Sequence, residues 1–364
     1  MESQIIQALE QGKIVLLTGL RGTGKTTILR SLEKKLKDCT FQDLEDPRLA
    51  PRPRKETLEV FSGASRYVLL DEVGRVDGWL DWARRQEGGV AASLSGPRIN
   101  LSEKDVVQFT LYPYRLTDTS VDLLGYLKAG GFPAARTRDD LIRLFNLCLF
   151  KDVVQRYEVR DIDKLTAIAV YLISSSSRPV SASRLKGLIS RSVDQARGFM
   201  AHLERSGLVH LVPRIEDGTR DRPQAARRCF SADCGLSVAL AHREPDLRDL
   251  AETAVFHELL RQGLTVQAWR ARGRLGLAVV GRDRPRLMID VAWRDRNPVG
   301  IQPLGSAMAM HSCEEGLLLG EEDGAQGSIV MQNLRKWLES PDLPGISSPG
   351  RKVKGGSSLP AYLL

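Results

Sequence analysis

Short apolar runs alternate with polar, helix-like stretches along the first part of the chain. The clearest runs are residues 14–17 (IVLL), 67–70 (YVLL) and 90–96, and a shorter one covers residues 41–44. Compact runs rich in β-branched residues are typical of strands buried on both faces of a parallel sheet. Their alternation with helical stretches predicts an α/β domain with a parallel sheet over residues 1–120.

After residue 120 the periodicity becomes helical, which predicts a helical lid or linker over residues 121–160. Residues 161–240 then carry three helical stretches, the second of which Ser181 can cap, followed by two strand-like runs. Three helices and a β-hairpin predict a winged helix-turn-helix. Residues 245–338 begin and end with helical stretches around three strand-like runs, which predicts a small α/β unit. The tail, residues 340–364, is rich in Pro, Gly and Ser, and this composition predicts that it is disordered.

A glycine-rich turn lies directly between the first apolar run and a helical stretch. It reads Gly19-Leu20-Arg21-Gly22-Thr23-Gly24-Lys25-Thr26 and fits the pattern G-x-x-x-x-G-K-[ST] in the strand-to-helix context that this pattern requires. The glycines let successive backbone N–H groups face an anion, and the helix N-terminus adds positive potential. We therefore predict ATP and Mg²⁺ as cofactors, with Lys25 on the β- and γ-phosphates and Thr26 on the metal ion. The residues expected to contact the nucleotide are Gly19, Gly22, Thr23, Gly24, Lys25, Thr26 and Thr27.

The second apolar run ends in two acids, Asp71 and Glu72. Asp71 is expected to hold the Mg²⁺ ion together with Thr26, directly or through water. Glu72 is expected to polarise the attacking water and is, with Lys25, the predicted catalytic residue. Paired acids at this place are typical of ATP-hydrolysing proteins, and no Asn-Lys-x-Asp guanine-reading motif occurs. The run that ends near Ser95 predicts a sensor of the γ-phosphate, with Ser95 as the first candidate and Ser93 as the second.

Composition adds limits on partners and location. Lys and Arg total 53 against 45 Asp and Glu, giving a net charge of +8, which is compatible with nucleic acid or phosphate ligands. The five cysteines form no CxxC pair, which excludes a zinc-site pattern and favours a reducing, cytoplasmic location. No apolar stretch is long enough to predict a membrane span, and the first residues do not resemble a signal peptide.

The predicted winged helix makes double-stranded DNA a candidate partner. Residues 161–240 carry 12 Lys and Arg against 8 Asp and Glu, a net charge of +4. In a helix-turn-helix the second helix of the motif enters the major groove. The candidate helix covers residues 192–206, and the predicted DNA-binding residues are Arg191, Arg197 and Arg205. The alternative is that this unit packs against another part of the chain or contacts a protein partner or a second copy.

Several short motifs occur in an order that resembles one protein family. They are Glu45-Asp46-Pro47, Tyr112-Pro113, Gly130-Gly131-Phe132-Pro133, Lys151-Asp152-Val153-Val154, Asp233-Cys234-Gly235-Leu236 and Phe256-His257-Glu258-Leu259. Over roughly residues 5–338 the chain resembles the prokaryotic AAA-type ATPases. The resemblance implies an α/β P-loop NTPase (AAA-like) sheet, then a winged helix, then a domain similar to PD-(D/E)xK restriction endonucleases. It also implies that Gly131 and Pro133 lie near the nucleotide, although a simple helix break explains them as well.

The chain departs from that family in two places. The segment after Ser95 is short, so no arginine finger can be assigned, and Arg98 and Arg115 are the available candidates. In the C-terminal unit Leu275 and Leu277 occupy positions that are acidic in the family. Glu252, Glu258 and Asp290 remain but do not make a metal site. We therefore predict that the nuclease fold is retained and its chemistry lost.

These observations predict an ATP-hydrolysing AAA-like switch coupled to DNA or a protein partner. Because no arginine finger can be assigned, the alternative is a nucleotide-gated DNA-binding regulator that binds ATP without hydrolysing it. A third, disfavoured possibility is an active metal-dependent nuclease.

Overall fold

The computed structural model describes residues 1–46, 48–49, 55–96, 103–189, 192–215, 226–281, 284–295 and 301–346. The chain divides into two compact units. The first comprises residues 1–112, and the second begins at Pro113 and includes the described residues up to 346. Arg98 and Arg191 lie outside the described residues, as does most of the predicted tail. The first residues of that tail, 340–346, are described, and Leu343 is buried among them.

The first unit alternates helices and strands, as the apolar pattern predicts. Its elements are α1 (Glu2–Glu10), β1 (Ile14–Gly19), α2 (Lys25–Lys35), β2 (Cys39–Asp43), α3 (Lys55–Glu59), β3 (Tyr67–Asp71), α4 (Trp79–Arg84), β4 (Gly89–Ser95) and β5 (Val106–Thr110). All strand pairs are parallel, in the order β2-β3-β4-β1-β5. The predicted parallel sheet is therefore confirmed, and β5 is an edge strand that the apolar pattern did not reveal.

Alternating side chains of β1 supply the cores on the two faces of this sheet. Ile14 and Leu16 pack into one buried cluster, whereas Val15 and Leu17 pack into the other. This follows from the two-residue period of a strand, which sends successive side chains to opposite faces. Because both faces are covered, the polar chemistry of this unit is confined to the ends of its strands. The carboxyl ends of β1, β3 and β4 lie side by side, since β4 runs between the other two.

The first half of the second unit is mainly helical. Its elements are α5 (Leu123–Ala129), α6 (Arg138–Cys148), α7 (Ile162–Ser174), β6 (Pro179–Val180), α8 (Ala182–Ile189), α9 (Val193–Ser206), β7 (Val209–Val212), β8 (Arg227–Ser231) and α10 (Cys234–Leu240). A π-helical segment, Leu149–Val154, continues α6. The short strands form an antiparallel sheet in the order β6-β8-β7. The three helical stretches predicted for residues 161–240 correspond to α7, α8 and α9, and the two predicted strands to β7 and β8, whereas β6 and α10 were not predicted. The winged-helix interpretation itself stays a prediction.

The rest of the second unit is built on a six-stranded mixed sheet. Its elements are α11 (Leu247–Arg261), β9 (Val266–Ala271), β10 (Arg274–Val280), β11 (Pro285–Val291), α12 (Gln302–Met310), β12 (Gly316–Gly320), β13 (Gly324–Gln326), β14 (Ile329–Asn333) and α13 (Leu334–Glu339). The strand order is β13-β14-β12-β11-β10-β9. The helices α11 and α13 cover one face of this sheet through Phe256 and Trp337. The strands β12 to β14 and α12 were not predicted. Among the described helices of the whole chain, none has the length and apolarity needed to cross a membrane.

Candidate nucleotide site

The glycine-rich turn after β1 requires its glycines. Gly19, Gly22 and Gly24 have φ values of 139°, 80° and 98°, a region that L side chains rarely adopt. A Cβ atom on Gly19 would also collide with the carbonyl oxygen of Leu111. Gly24 is the N-cap of α2, so the loop leads directly into the helix N-terminus, where unpaired N–H groups attract anions. Thr27 is exposed in the first turn of that helix.

Lys25 is buried, and its ammonium group is hydrogen-bonded to the preceding loop and to the end of β4. Its Nζ donates to the carbonyl oxygens of Gly19 at 2.8 Å and Leu20 at 3.0 Å, and to Ser95 Oγ at 3.1 Å. A buried ammonium group must be paired or hydrogen-bonded to be tolerated, and these acceptors meet that need. Ser95, the first candidate for a sensor of the γ-phosphate, is therefore hydrogen-bonded directly to Lys25, and its role as a sensor stays a prediction.

The predicted metal ligands Thr26 and Asp71 meet across the sheet edge. Thr26 Oγ1 donates to Asp71 Oδ2 at 2.7 Å, and Ser93 Oγ donates to Asp71 Oδ1. Burial and the neighbouring carboxylates of Glu72 and Asp43 raise the pKa of Asp71, while the two hydroxyl hydrogen bonds oppose the shift. Two cis oxygen ligands of an octahedral Mg²⁺ ion lie about 2.9 Å apart when each is about 2.0–2.1 Å from the metal. Thr26 Oγ1 and Asp71 Oδ2 would therefore fit such an ion as two of its ligands.

Glu72 is held in an uncommon backbone conformation. Its φ is 59°, in the left-handed region, and its N–H donates to Ser93 Oγ at 3.0 Å. The carboxylate accepts from Ser95 Oγ at 2.5 Å and from the Ser95 N–H at 3.2 Å. Non-glycine residues in this region are found at functional sites when the surroundings fix them, as Ser93 and Ser95 do here. The result is a largely buried carboxylate with Oε1 4.0 Å from Lys25 Nζ.

The sequence did not reveal a group of charged side chains beside Glu72. Arg21, from the glycine-rich loop, donates to both carboxylate oxygens of Glu45 at 2.8 and 2.9 Å. Arg75 donates to Glu45 Oε1 at 2.7 and 3.0 Å. Burial would raise the pKa of Glu45, but the guanidinium groups of Arg21 and Arg75 hold it below its usual value. The only sequence signal was the position of these residues two to four places after β1, β2 and β3.

The remaining predicted residues lie in the second unit. Gly131 N–H donates to Asp233 Oδ2 at 2.8 Å, so two of the motifs that carry the family resemblance contact each other. A Cβ on Gly131 would collide with the backbone of Tyr114, so the packing at this position requires a glycine. Contact of Gly131 or Pro133 with a nucleotide stays a prediction. Arg115, a candidate arginine finger, donates to Glu258.

The acids left at the predicted nuclease positions are paired with arginines. Glu252 is bound by Arg228 and Asp290 by Arg274, while Glu258 contacts Arg261 at 3.0 Å. Leu277, which the family resemblance places at an acidic position, is buried in the core. Within the described ranges no cluster of three His, Cys, Asp or Glu side chains could hold a metal ion. The nuclease-like fold and its loss of chemistry stay predictions.

Comparison with known families supports the N-terminal part of this picture. Residues 11–88 match the model of a family described as an AAA domain, and residues 121–247 match a domain of unknown function. The AAA match spans the glycine-rich loop, Asp71 and Glu72. With the parallel sheet, it supports an α/β P-loop NTPase fold for this part of the chain. The AAA match ends at residue 88, so it does not test the winged-helix and nuclease-like parts of the predicted fold class.

Individual relatives add little about function. An uncharacterized protein of Methanocaldococcus jannaschii is 25% identical over 299 residues, which cover 69% of this chain and 67% of that protein. An uncharacterized protein of Mycobacterium tuberculosis is 39% identical over 74 residues, covering 20% of this chain and 16% of that protein. The Walker-type ATPase of Pyrococcus abyssi has a TM-score of 0.42 at 11% identity, covering 66% of this chain and 94% of that one. AMPPCP-bound DnaA from Aquifex aeolicus has a TM-score of 0.25 at 13% identity, covering 56% and 86%. Such low scores support no statement about activity.

Proposed function

We propose that the protein binds ATP with Mg²⁺ at the carboxyl ends of β1, β3 and β4 and hydrolyses it, acting as a nucleotide-driven switch. The observation that carries the proposal is the convergence of Lys25, the Thr26–Asp71 pair and Glu72 at one sheet edge. The AAA match over residues 11–88 supports the same assignment.

Each group has a defined task in this proposal. The N–H groups of the glycine-rich loop and the N-terminus of α2 bind phosphate oxygens, and Lys25 exchanges its carbonyl acceptors for them. Thr26 and Asp71 would hold Mg²⁺, which neutralises charge on the β- and γ-phosphates. Glu72 orients the attacking water and accepts its proton. Ser95 contacts both Lys25 and Glu72, so it can transmit a change at the lysine to the carboxylate.

Replacing Lys25 with alanine tests the binding part of the proposal. Each charge-assisted hydrogen bond contributes about 1.5–3 kcal/mol, so we expect at least a ten-fold loss of ATP affinity. Equilibrium binding of a fluorescent ATP analogue measures it. The matched control is Lys35→Ala, because Lys35 lies in the last turn of the same helix and is half-exposed. Equal affinity in wild type and Lys25→Ala would contradict the assignment.

The alternative regulator makes a separable prediction. A protein that only gates DNA binding would bind ATP and lose that binding in Lys25→Ala, yet show no phosphate release in the wild type. Phosphate release measured with and without duplex DNA distinguishes the two functions. Turnover that rises with protein concentration would point to an arginine supplied by a second copy.

We further infer that α9 contacts the phosphates of duplex DNA through Arg197 and Arg205. Both side chains are exposed, and Asp194, which accepts from Arg197 at 2.9 Å, is exposed as well. Each phosphate that a protein neutralises contributes about 0.9 to the slope of log K against log salt. The double variant Arg197→Gln/Arg205→Gln is therefore expected to reduce this slope by about 1.8 in a DNA-binding titration. The exposed Arg335→Gln is the control, and an unchanged slope in the double variant would exclude this face.

A further inference from the structure

A row of alternating charges runs beside the catalytic carboxylate. It consists of Arg75, Glu45, Arg21 and Glu72, which come from the segments that follow β1, β2 and β3. The side chains of Arg21, Glu45 and Glu72 are only 12%, 14% and 10% exposed. In such partly buried surroundings each charge is strongly influenced by its neighbours.

Two carboxylates compete for the guanidinium of Arg21. Glu45 accepts two hydrogen bonds from it, whereas Glu72 Oε1 lies 3.6 Å from Nη1, beyond hydrogen-bond distance. Paired hydrogen bonds between arginine and a carboxylate are stronger and more directional than a single ionic contact. Glu45 therefore determines where the arginine points, and Glu72 keeps Ser95 as its hydrogen-bond donor.

We propose that Glu45 is a positioning residue for hydrolysis: by holding Arg21, it prevents the guanidinium from pairing directly with Glu72. This inference rests on the proposed ATPase function. A paired Glu72 would present its oxygens to the arginine and could not orient water. Glu45 thus acts through Arg21 and touches neither nucleotide nor water itself. The lowered pKa of Glu45 agrees with a carboxylate that stays ionised in this role.

The test is a cycle of four proteins: wild type, Glu45→Gln, Arg21→Gln and Glu45→Gln/Arg21→Gln. Their kcat at saturating ATP and their affinity for a fluorescent ATP analogue are measured separately. Glu45→Gln removes the charge that holds Arg21, and Glu72 Oε1 lies only 3.6 Å from Arg21 Nη1, so we expect kcat to fall at least ten-fold while affinity changes less than three-fold. In the double variant the Arg21 guanidinium is no longer present to pair with Glu72, so kcat should return to within three-fold of Arg21→Gln.

Two controls separate positioning from stability. Glu45→Asp keeps the charge and should retain more activity than Glu45→Gln, and it serves if the amide variant fails to fold. Glu33→Gln removes a partly exposed glutamate that pairs with Arg30 and should leave kcat unchanged. Thermal unfolding midpoints of all variants show whether each remains folded.

The outcomes distinguish this inference from the proposed function. Absence of turnover in the wild type overturns the ATPase function and this inference with it. Wild-type turnover with an unchanged Glu45→Gln overturns the positioning role alone. A double variant no faster than Glu45→Gln also overturns it, because the defect would then not act through Arg21.

Discussion

Changing Glu72 to glutamine is expected to reduce ATP turnover by about 10²-fold or more, since general acid–base catalysis contributes about 10²–10⁴-fold. The amide keeps the shape of the side chain and can still accept the hydrogen bond of Ser95, but it cannot accept a proton from water. The phosphate-binding groups are untouched, so the affinity for ATP should change little. The expected result is a loss in kcat with preserved binding.

Phosphate release under saturating ATP and equilibrium binding of a fluorescent ATP analogue measure the two quantities. Glu10→Gln, an exposed change at the end of α1, is the control for removal of a glutamate charge. Turnover equal to that of the wild type would remove Glu72 from the mechanism. A parallel loss of binding would show that the carboxylate has a structural task in the site, where it contacts Ser95 and lies near Lys25.

The positions of the residues that we propose bind the nucleotide could be predicted because local rules fix them. The glycine pattern requires a strand before it and a helix after it, and β1 and α2 supply both. Asp71 and Glu72 directly follow an apolar run, so the end of a buried strand gave their position. The position of Ser95 at the end of β4 could be predicted for the same reason. Each prediction needed only the order of residues along one strand and the knowledge that parallel strands end at a common edge.

The charged row beside Glu72 could not be predicted in this way. Arg21, Glu45 and Arg75 lie on separate loops, and their pairing depends on the strand order and on the direction of each side chain. A sequence shows that three charges follow three strands, but not which of them share a hydrogen bond. The hydrogen bonds of Ser93 could not be predicted for a related reason. Its contacts with Asp71 and with the Glu72 N–H appear only when β3 and β4 are placed side by side.

The partners of the buried acids in the C-terminal unit could not be predicted from the sequence either. The sequence identified Glu252 and Asp290 as isolated acids that do not make a metal site. The structure shows why both carboxylates can be buried. They are neutralised by Arg228, Arg248 and Arg274. Arg228 comes from β8 and Arg274 from β10, so no local pattern links them to their partners. The acids thus have a structural task that motif comparison could not assign.

Removing the Glu252 carboxylate is expected to destabilise the second unit by about 3–5 kcal/mol, the usual cost of leaving a buried partner charge uncompensated. Glu252 is fully buried on α11, and Arg228 on β8 is 3% exposed. The two form hydrogen bonds of 2.8 and 2.5 Å, and Ser177 Oγ donates to the same carboxylate at 2.6 Å. Glu252→Ala therefore leaves a guanidinium in the interior without its counter-charge.

The pH dependence of stability gives a second readout. Burial would raise the pKa of Glu252, but Arg228 and Arg248 hold it below its usual value. A carboxylate with a lowered folded pKa contributes stability that is fully present above its unfolded pKa of about 4.3. That contribution is lost as the pH falls through the lower folded pKa. Glu252→Gln should therefore unfold more easily than wild type at neutral pH, and the difference should shrink in acid.

Urea unfolding followed by circular dichroism measures these free energies. Glu339→Ala breaks the exposed pair with Arg335 and should change the free energy of unfolding by less than about 1 kcal/mol. The double variant Glu252→Leu/Arg228→Met removes both charges, so it should be more stable than Glu252→Ala. A double variant as unstable as the single one would show that volume and packing around α11, rather than the unpaired guanidinium, cause the loss.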